Sequence, residues 1–116
     1  IKVDRLVVAV DCGTAVNPDQ IAAQVEGSVV YGLGAAFYQE MTVKDGRMVE
    51  ENFDTFETLL ISEMPKVETI LVPSGGFWGG IGEPTIMVAA PAVINAIFAA
   101  TGKRLRTLPL KHHKVV

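Results

Sequence analysis

The chain has 116 residues, the length of one ordinary domain. Its apolar share of 49% is enough for a packed core, and its charged share of 20% is too small for a disordered chain. The net charge is −3 and the basic residues are scattered apart from a small cluster near the end, which excludes the concentrated basic surface of a nucleic-acid groove; one cysteine excludes an internal disulfide.

Cytoplasm and periplasm both remain open on this composition. The chain opens on Ile1 and runs at once into a strand-like segment, as expected of an excised part of a longer polypeptide. Val3 to Val10 is nearly continuous apolar sequence and predicts a strand buried on both faces. Asp11-Cys12-Gly13 breaks it. Asn17-Pro18 opens a helix, with Asn17 able to cap, Pro18 suited to the first helical position and Gln20 at the capping-box position. Ile21, Gln24, Val25, Ser28, Val29, Gly32 and Ala36 follow at steps of three and four and form one apolar face. Gly27, Gly32 and Gly34 each cost roughly 1 kcal/mol against Ala in a helix interior, so another backbone or a ligand is expected close by.

Lys44-Asp45-Gly46, between Met41-Thr42-Val43 and Arg47-Met48-Val49, predicts a hairpin. Asp54 with Glu57 hints at a short capped helix, ended by Pro65. Val67 to Val72 reads as a strand stopped by Pro73. The stretch from Ser74 to Gly82 carries Gly75, Gly76, Gly79, Gly80 and Gly82. Ala89 to Ala100 is apolar almost all round and predicts a buried helix with Pro91 in its first turn and Gly102 at its C-cap. Lys111-His112-His113-Lys114 reads as a solvated tail. The expected fold class is α+β in one piece, a small β-sheet with a hairpin packed against two main helices.

The glycine loop ends in Gly79-Gly80-Ile81-Gly82-Glu83-Pro84, just ahead of the second helix. Glycines let backbone N–H groups approach an anion or cofactor without Cβ interference. Pro84 disfavours the helical basin for Glu83 and so fixes the direction of its carboxylate. Such a group suits a general base; it equally suits a capping Glu on a glycine-rich turn. Gln24 on the apolar face is either a hydrogen-bonding contact to a polar ligand or a satisfied core amide, while Glu26 is solvated or paired. Phe77 and Trp78 either wall a pocket or anchor the loop. Cys12 reads as a small core residue. His112 and His113 read as tail and not as a metal site, since adjacent histidines point apart.

Three segments together resemble the xanthine dehydrogenase and aldehyde oxidase family. Val10-Asp11-Cys12-Gly13 with Val16-Asn17-Pro18 is similar to the start of the last part of its molybdenum-binding subunits. Gln24-Val25-Glu26-Gly27 with Tyr31-Gly32-Leu33-Gly34 resembles that family's glycine-bearing helix. Gly80-Ile81-Gly82-Glu83-Pro84, Ala90-Pro91-Ala92, Asn95-Ala96-Ile97, Ala100-Thr101-Gly102 and Leu108-Pro109-Leu110 resemble its catalytic-glutamate motif and terminal helix. Within the family the pattern is most like isoquinoline 1-oxidoreductase β-subunits and related bacterial aldehyde dehydrogenase subunits.

The resemblance implies that residues 1–110 are the C-terminal part of a larger molybdenum-cofactor-binding domain, with 111–116 a tail. It implies a molybdenum hydroxylase that oxidises an aldehyde or N-heterocycle with water-derived oxygen, Glu83 acting as general base on the metal-bound hydroxyl. Gln24, Gly80 and Gly82 would contact a molybdopterin-type cofactor, and Phe77 and Trp78 would border the substrate. Electrons would leave through iron–sulfur clusters on another domain or a small partner subunit. Most of the family's cofactor-binding loops are missing from this sequence, so the isolated chain is expected to be inactive, empty of cofactor and prone to self-association, its natural partner being the remainder of the subunit. A non-catalytic cofactor-binding or assembly module of the same fold is the alternative. A phosphate-binding domain built on the glycine loop has less support, because no Lys or Arg lies near that loop.

Overall fold

The computed structural model describes residues 1–115. Its centre is a parallel pair, β1 (Arg5–Val10) and β4 (Lys66–Leu71), in register from Arg5 opposite Lys66 to Val10 opposite Leu71. A separate antiparallel hairpin joins β2 (Val43–Lys44) to β3 (Arg47–Met48) through Asp45 and Gly46, both at positive φ (51° and 76°), as a primed two-residue turn demands. The helix hinted at Asp54 does not form. Asn52 closes a single turn there, its carbonyl accepting from the N–H groups of Thr55 and Phe56. A 3-10 turn appears later, at Ile61–Glu63.

Helix α1 spans Pro18–Phe37 and starts as its sequence predicts. The Asn17 side chain accepts from the Gln20 N–H at 3.1 Å, and Pro18 takes the position whose N–H would be orphaned anyway. Val25, Val29 and Leu33 are fully buried along one stripe, each worth about 1.5–3 kcal/mol of transfer free energy. That stripe meets α2 (Ile86–Thr101) and β4. The crossing depends on Gly32, where a Cβ would stand 2.7 Å from both the Ala89 Cβ and the Ile86 carbonyl oxygen. Of the three helical glycines, Gly32 therefore answers to a neighbouring backbone, Gly34 abuts the Gln39 side chain, and Gly27 faces open space.

Helix α2 begins earlier than expected, so Pro91 lies inside it and not in its first turn. Gly102 closes it in the left-handed conformation, its N–H donating to the Phe98 carbonyl. Two expectations of deep burial fail. In β1 only Val8 is buried, and in α2 only Ala89, Val93 and Ile97 are. The sheet here has two strands and helices on one side of it, so among the described residues the remaining apolar faces have nothing to pack against. The core is Val8, Val25, Val29, Leu33, Phe37, Ala89, Val93, Ile97 and Leu110.

The segment read as a solvated tail is exposed at Lys111, His112 and Lys114 and makes contacts back to the body of the chain. Leu110 enters the core, Lys111 bonds Glu57 at 2.9 Å, and His112 Nε2 lies 2.7 Å from Glu40. Among the described residues, no helix is long and apolar enough to cross a membrane.

Candidate functional site

The candidate site forms where three pieces of chain meet: the turn after β1, the first half of α1, and the glycine loop between β4 and α2. Parallel pairing brings the ends of β1 and β4 to the same side, so the two loops that leave them run side by side. The Val72 N–H donates to the Val10 carbonyl, and the Gly79 N–H to the Cys12 carbonyl. Loop pairing thus continues beyond the strands.

Asp11 organises this junction. Its Oδ1 accepts from the Gly13 N–H and from the Ser74 hydroxyl, each at 2.9 Å. Those two donors, Gly13 foremost, hold the Asp11 carboxyl below the usual carboxylate range. The Thr14 hydroxyl donates to the Gly76 carbonyl at 3.2 Å. Gly13 has φ of +74°, and a Cβ on it would stand 2.2 Å from the Phe77 carbonyl oxygen. Only glycine fits, because the conformation and the contact each forbid a side chain. Cys12 is buried in this junction, as expected of a small core residue.

The far end of the loop is held by α1. Ser28, almost fully buried, donates through its hydroxyl to the Gly82 carbonyl at 2.9 Å. Glu83 follows directly and then enters a turn: its carbonyl accepts from the Ile86 N–H at 3.0 Å, with Pro84 at the position whose fixed φ favours such a turn. The Glu83 side chain is exposed and, among the described residues, makes neither hydrogen bond nor ion pair.

Between these holds lies a cleft of about 540 Å³, lined by Cys12, Thr14, Asn17, Gln20, Ile21 and Gln24 on one side and Trp78, Gly79 and Ile81 on the other. Gln24 is exposed in this cleft, which corrects the reading that placed it on the buried face of α1; the helix turns it past that stripe toward the glycine loop. Its Nε2 would be 3.9 Å from a Cβ on Gly82. At Gly80 and at Gly27 an added Cβ would meet nothing within 4 Å. Trp78 lines the cleft, whereas Phe77 stands outside it, 88% exposed and tilted against the Trp78 ring at 5.3 Å. Gly80, Gly82 and Glu83 adjoin the cleft in sequence without lining it.

Sequence reasoning passed over Asp11, Thr14, Gln20 and Ser28 as parts of this site. An acidic residue two places before Gly13 is the pattern of an Asx turn and was a usable signal for Asp11. Nothing local marks Ser28, whose partner lies 54 residues away.

Residues 1–65 match the family described as molybdopterin cofactor-binding domain. The chain is 36% identical over 111 residues to a membrane-bound aldehyde dehydrogenase (pyrroloquinoline-quinone) of Gluconacetobacter polyoxogenes, covering 96% of this chain and 14% of that protein. It is 32% identical over 111 residues to isoquinoline 1-oxidoreductase subunit beta of Brevundimonas diminuta, covering 96% and 14%. A Cu,Mo-CO dehydrogenase structure in its carbon monoxide reduced state superposes with a TM-score of 0.78 at 28% identity, over 87% of this chain and 14% of that one. Quinoline 2-oxidoreductase from Pseudomonas putida 86 shares the fold, with a TM-score of 0.82 at 22% identity over 94% of this chain and 15% of that one. The chain therefore spans 14% of the length of the first two curated relatives.

Proposed function

The chain belongs to the molybdopterin cofactor-binding domain family, and on that premise we propose that it is the C-terminal wall of the cofactor site in a molybdenum hydroxylase subunit. One relative's name carries pyrroloquinoline quinone, but the family that residues 1–65 match is a molybdopterin one, and the structural relative at 28% identity is a Cu,Mo-CO dehydrogenase.

The cleft suits a polar heterocycle. Its lining includes the side-chain amides of Asn17, Gln20 and Gln24 and no Lys or Arg, which argues against a phosphate site. Gly27 and Gly80 do not line the cleft, and an added Cβ at either would meet open space. Gln24, Gly80 and Gly82 would hold the cofactor on this side, the amide of Gln24 supplying directional hydrogen bonds. When bound, the cofactor supplies the two-electron redox chemistry by which an aldehyde or N-heterocycle gains an oxygen derived from water.

The residue assigned to proton movement is Glu83. The observation that carries this assignment is a free carboxylate at the end of a loop held by named bonds on both sides, from Asp11 and Thr14 at one end and from Ser28 at the other. A general base needs an unoccupied acceptor at a fixed place, and a Glu with no partner on a restrained loop provides one. Trp78 forms one flank of the cleft. Iron–sulfur clusters on a partner subunit or domain would take up the electrons. The rest of the subunit would complete the cofactor site, so the 116 residues alone would be inactive.

The test is Glu83→Gln in the complete enzyme. Turnover should fall by about 10²-fold or more with molybdenum content unchanged. Turnover within a few-fold of wild type at full metal loading would remove Glu83 from the chemistry and favour a non-catalytic assembly role.

A further inference from the structure

In a parallel ladder the N–H and C=O of one residue point to the same side, and successive residues alternate sides. The Lys66 N–H donates to the Asp4 carbonyl and the Val72 N–H to the Val10 carbonyl. The even-numbered residues of β1 therefore face β4. Arg5, Val7 and Ala9 direct their N–H and C=O groups to the other edge, where the two-stranded sheet stops. That edge lacks the usual protection: no proline interrupts β1, its one charged residue, Arg5, is paired with Glu68, and Leu6 to Val10 are all apolar.

A groove runs along this edge between β1 and α2. One stretch, of about 490 Å³, is bordered by Val3, Leu6 and Val7 on one side and by Ala92, Ala96 and Ala100 on the other. A second, of about 280 Å³, reaches Val8, Ala9 and Val88. The two share Leu6, Val7 and Ala92 and so form one channel. On the helix side, Val88, Ala92, Ala96 and Ala100 recur at steps of four and keep that wall low. Helix α2 is apolar nearly all round, yet Met87 is 72% exposed and Val88 49%. A helix of that composition is ordinarily covered on more than one side.

We infer that this groove seats an additional β-strand, supplied by the part of the subunit polypeptide outside these 116 residues. The edge asks for an occupant that offers N–H and C=O groups at two-residue intervals and apolar side chains toward α2. Extended backbone meets both demands; a helix satisfies its own backbone groups and a small ligand does not repeat. The source follows from length: the first two curated relatives are matched over 14% of their chains, so most of such a polypeptide is available to supply the strand.

The experiment is residue-resolved hydrogen exchange on the complete, unmodified subunit, with benzoylphenylalanine in place of Ala96 as a second measurement. The amides of Val7 and Ala9 should be protected to within about tenfold of those of Leu6 and Val8, which face β4. On illumination the photoprobe should link to a segment of the same chain outside the 116 residues. Val7 and Ala9 exchanging as free amides while Leu6 and Val8 stay protected would overturn the inference. So would a link to a second copy or to another subunit. Because the exchange measurement uses the native sequence, it stands even if the probe disturbs folding.

Discussion

The Ser28 hydroxyl on α1 donates to the Gly82 carbonyl on the glycine loop, at 2.9 Å and almost out of contact with solvent. This bond joins the most buried stripe of the molecule to the residue immediately before Glu83. Ser28→Ala would leave that carbonyl without its partner, at a cost of about 0.5–1.5 kcal/mol of stability. In the complete enzyme, turnover should drop several-fold with metal content retained, and amides of residues 80–86 should exchange faster. Wild-type exchange together with wild-type turnover would show that the bond does not position Glu83.

Asp11 makes the other hold on the loop sensitive to acid. Its folded pKa lies below the unfolded value, so its contribution is present above the unfolded carboxylate range and is lost as pH falls through the folded value. Trp78 is the chain's one tryptophan and sits in the loop that Asp11 holds through Ser74. Its emission should be flat at neutral pH and change below about pH 4. Glu63 and Glu68 are also depressed, by the Tyr38 hydroxyl and by Arg5, and their titration contributes to global stability in the same direction. Asp11→Asn separates the two, since it should remove the Trp78 change that precedes global unfolding and leave the global acid transition, followed by circular dichroism, in place. An unchanged emission titration in that variant would dissociate Asp11 from the loop.

Two glycines of α1 should respond in opposite directions. Gly27 has nothing within 4 Å of an added Cβ, so Gly27→Ala should stabilise the fold of this chain by about 0.5–1 kcal/mol through helix propensity. Gly32→Ala should destabilise it by about 1–3 kcal/mol, less the same propensity gain, because the methyl would force α2 away at Ala89 and Ile86. Denaturant melts of both variants decide this. In the complete enzyme, Gly27→Ala carries a further reading: a loss of cofactor content without loss of stability would place the cofactor against that bare backbone.

Much of the local structure was legible because it is chosen by neighbours in sequence. Asn17 and Pro18 start α1, Asp45 and Gly46 turn the hairpin, and Gly102 ends α2, each through chemistry that acts within a few residues. Resemblance of the Gln24, Gly82 and Glu83 motifs pointed to the family that residues 1–65 match. The extent of burial was not legible. A nearly all-apolar strand or helix states that it wants to be covered, but not whether the partner lies in the same 116 residues; much of the apolar surface of β1 and α2 is left uncovered among the described residues.

The sequence by itself determined the main strands and helices, the start of α1, the hairpin turn, the end of α2 and the kinship, since capping, turn formation and hydrophobic periodicity are short-range effects. Only the tertiary structure decided which residues share the site. Parallel pairing of β1 with β4 brings Asp11 to Ser74 across 63 residues, and the packing of α1 brings Ser28 to Gly82 across 54. It also turned Gln24 out of the core and into the cleft, because a helix face acquires a meaning only when a second element is laid against it.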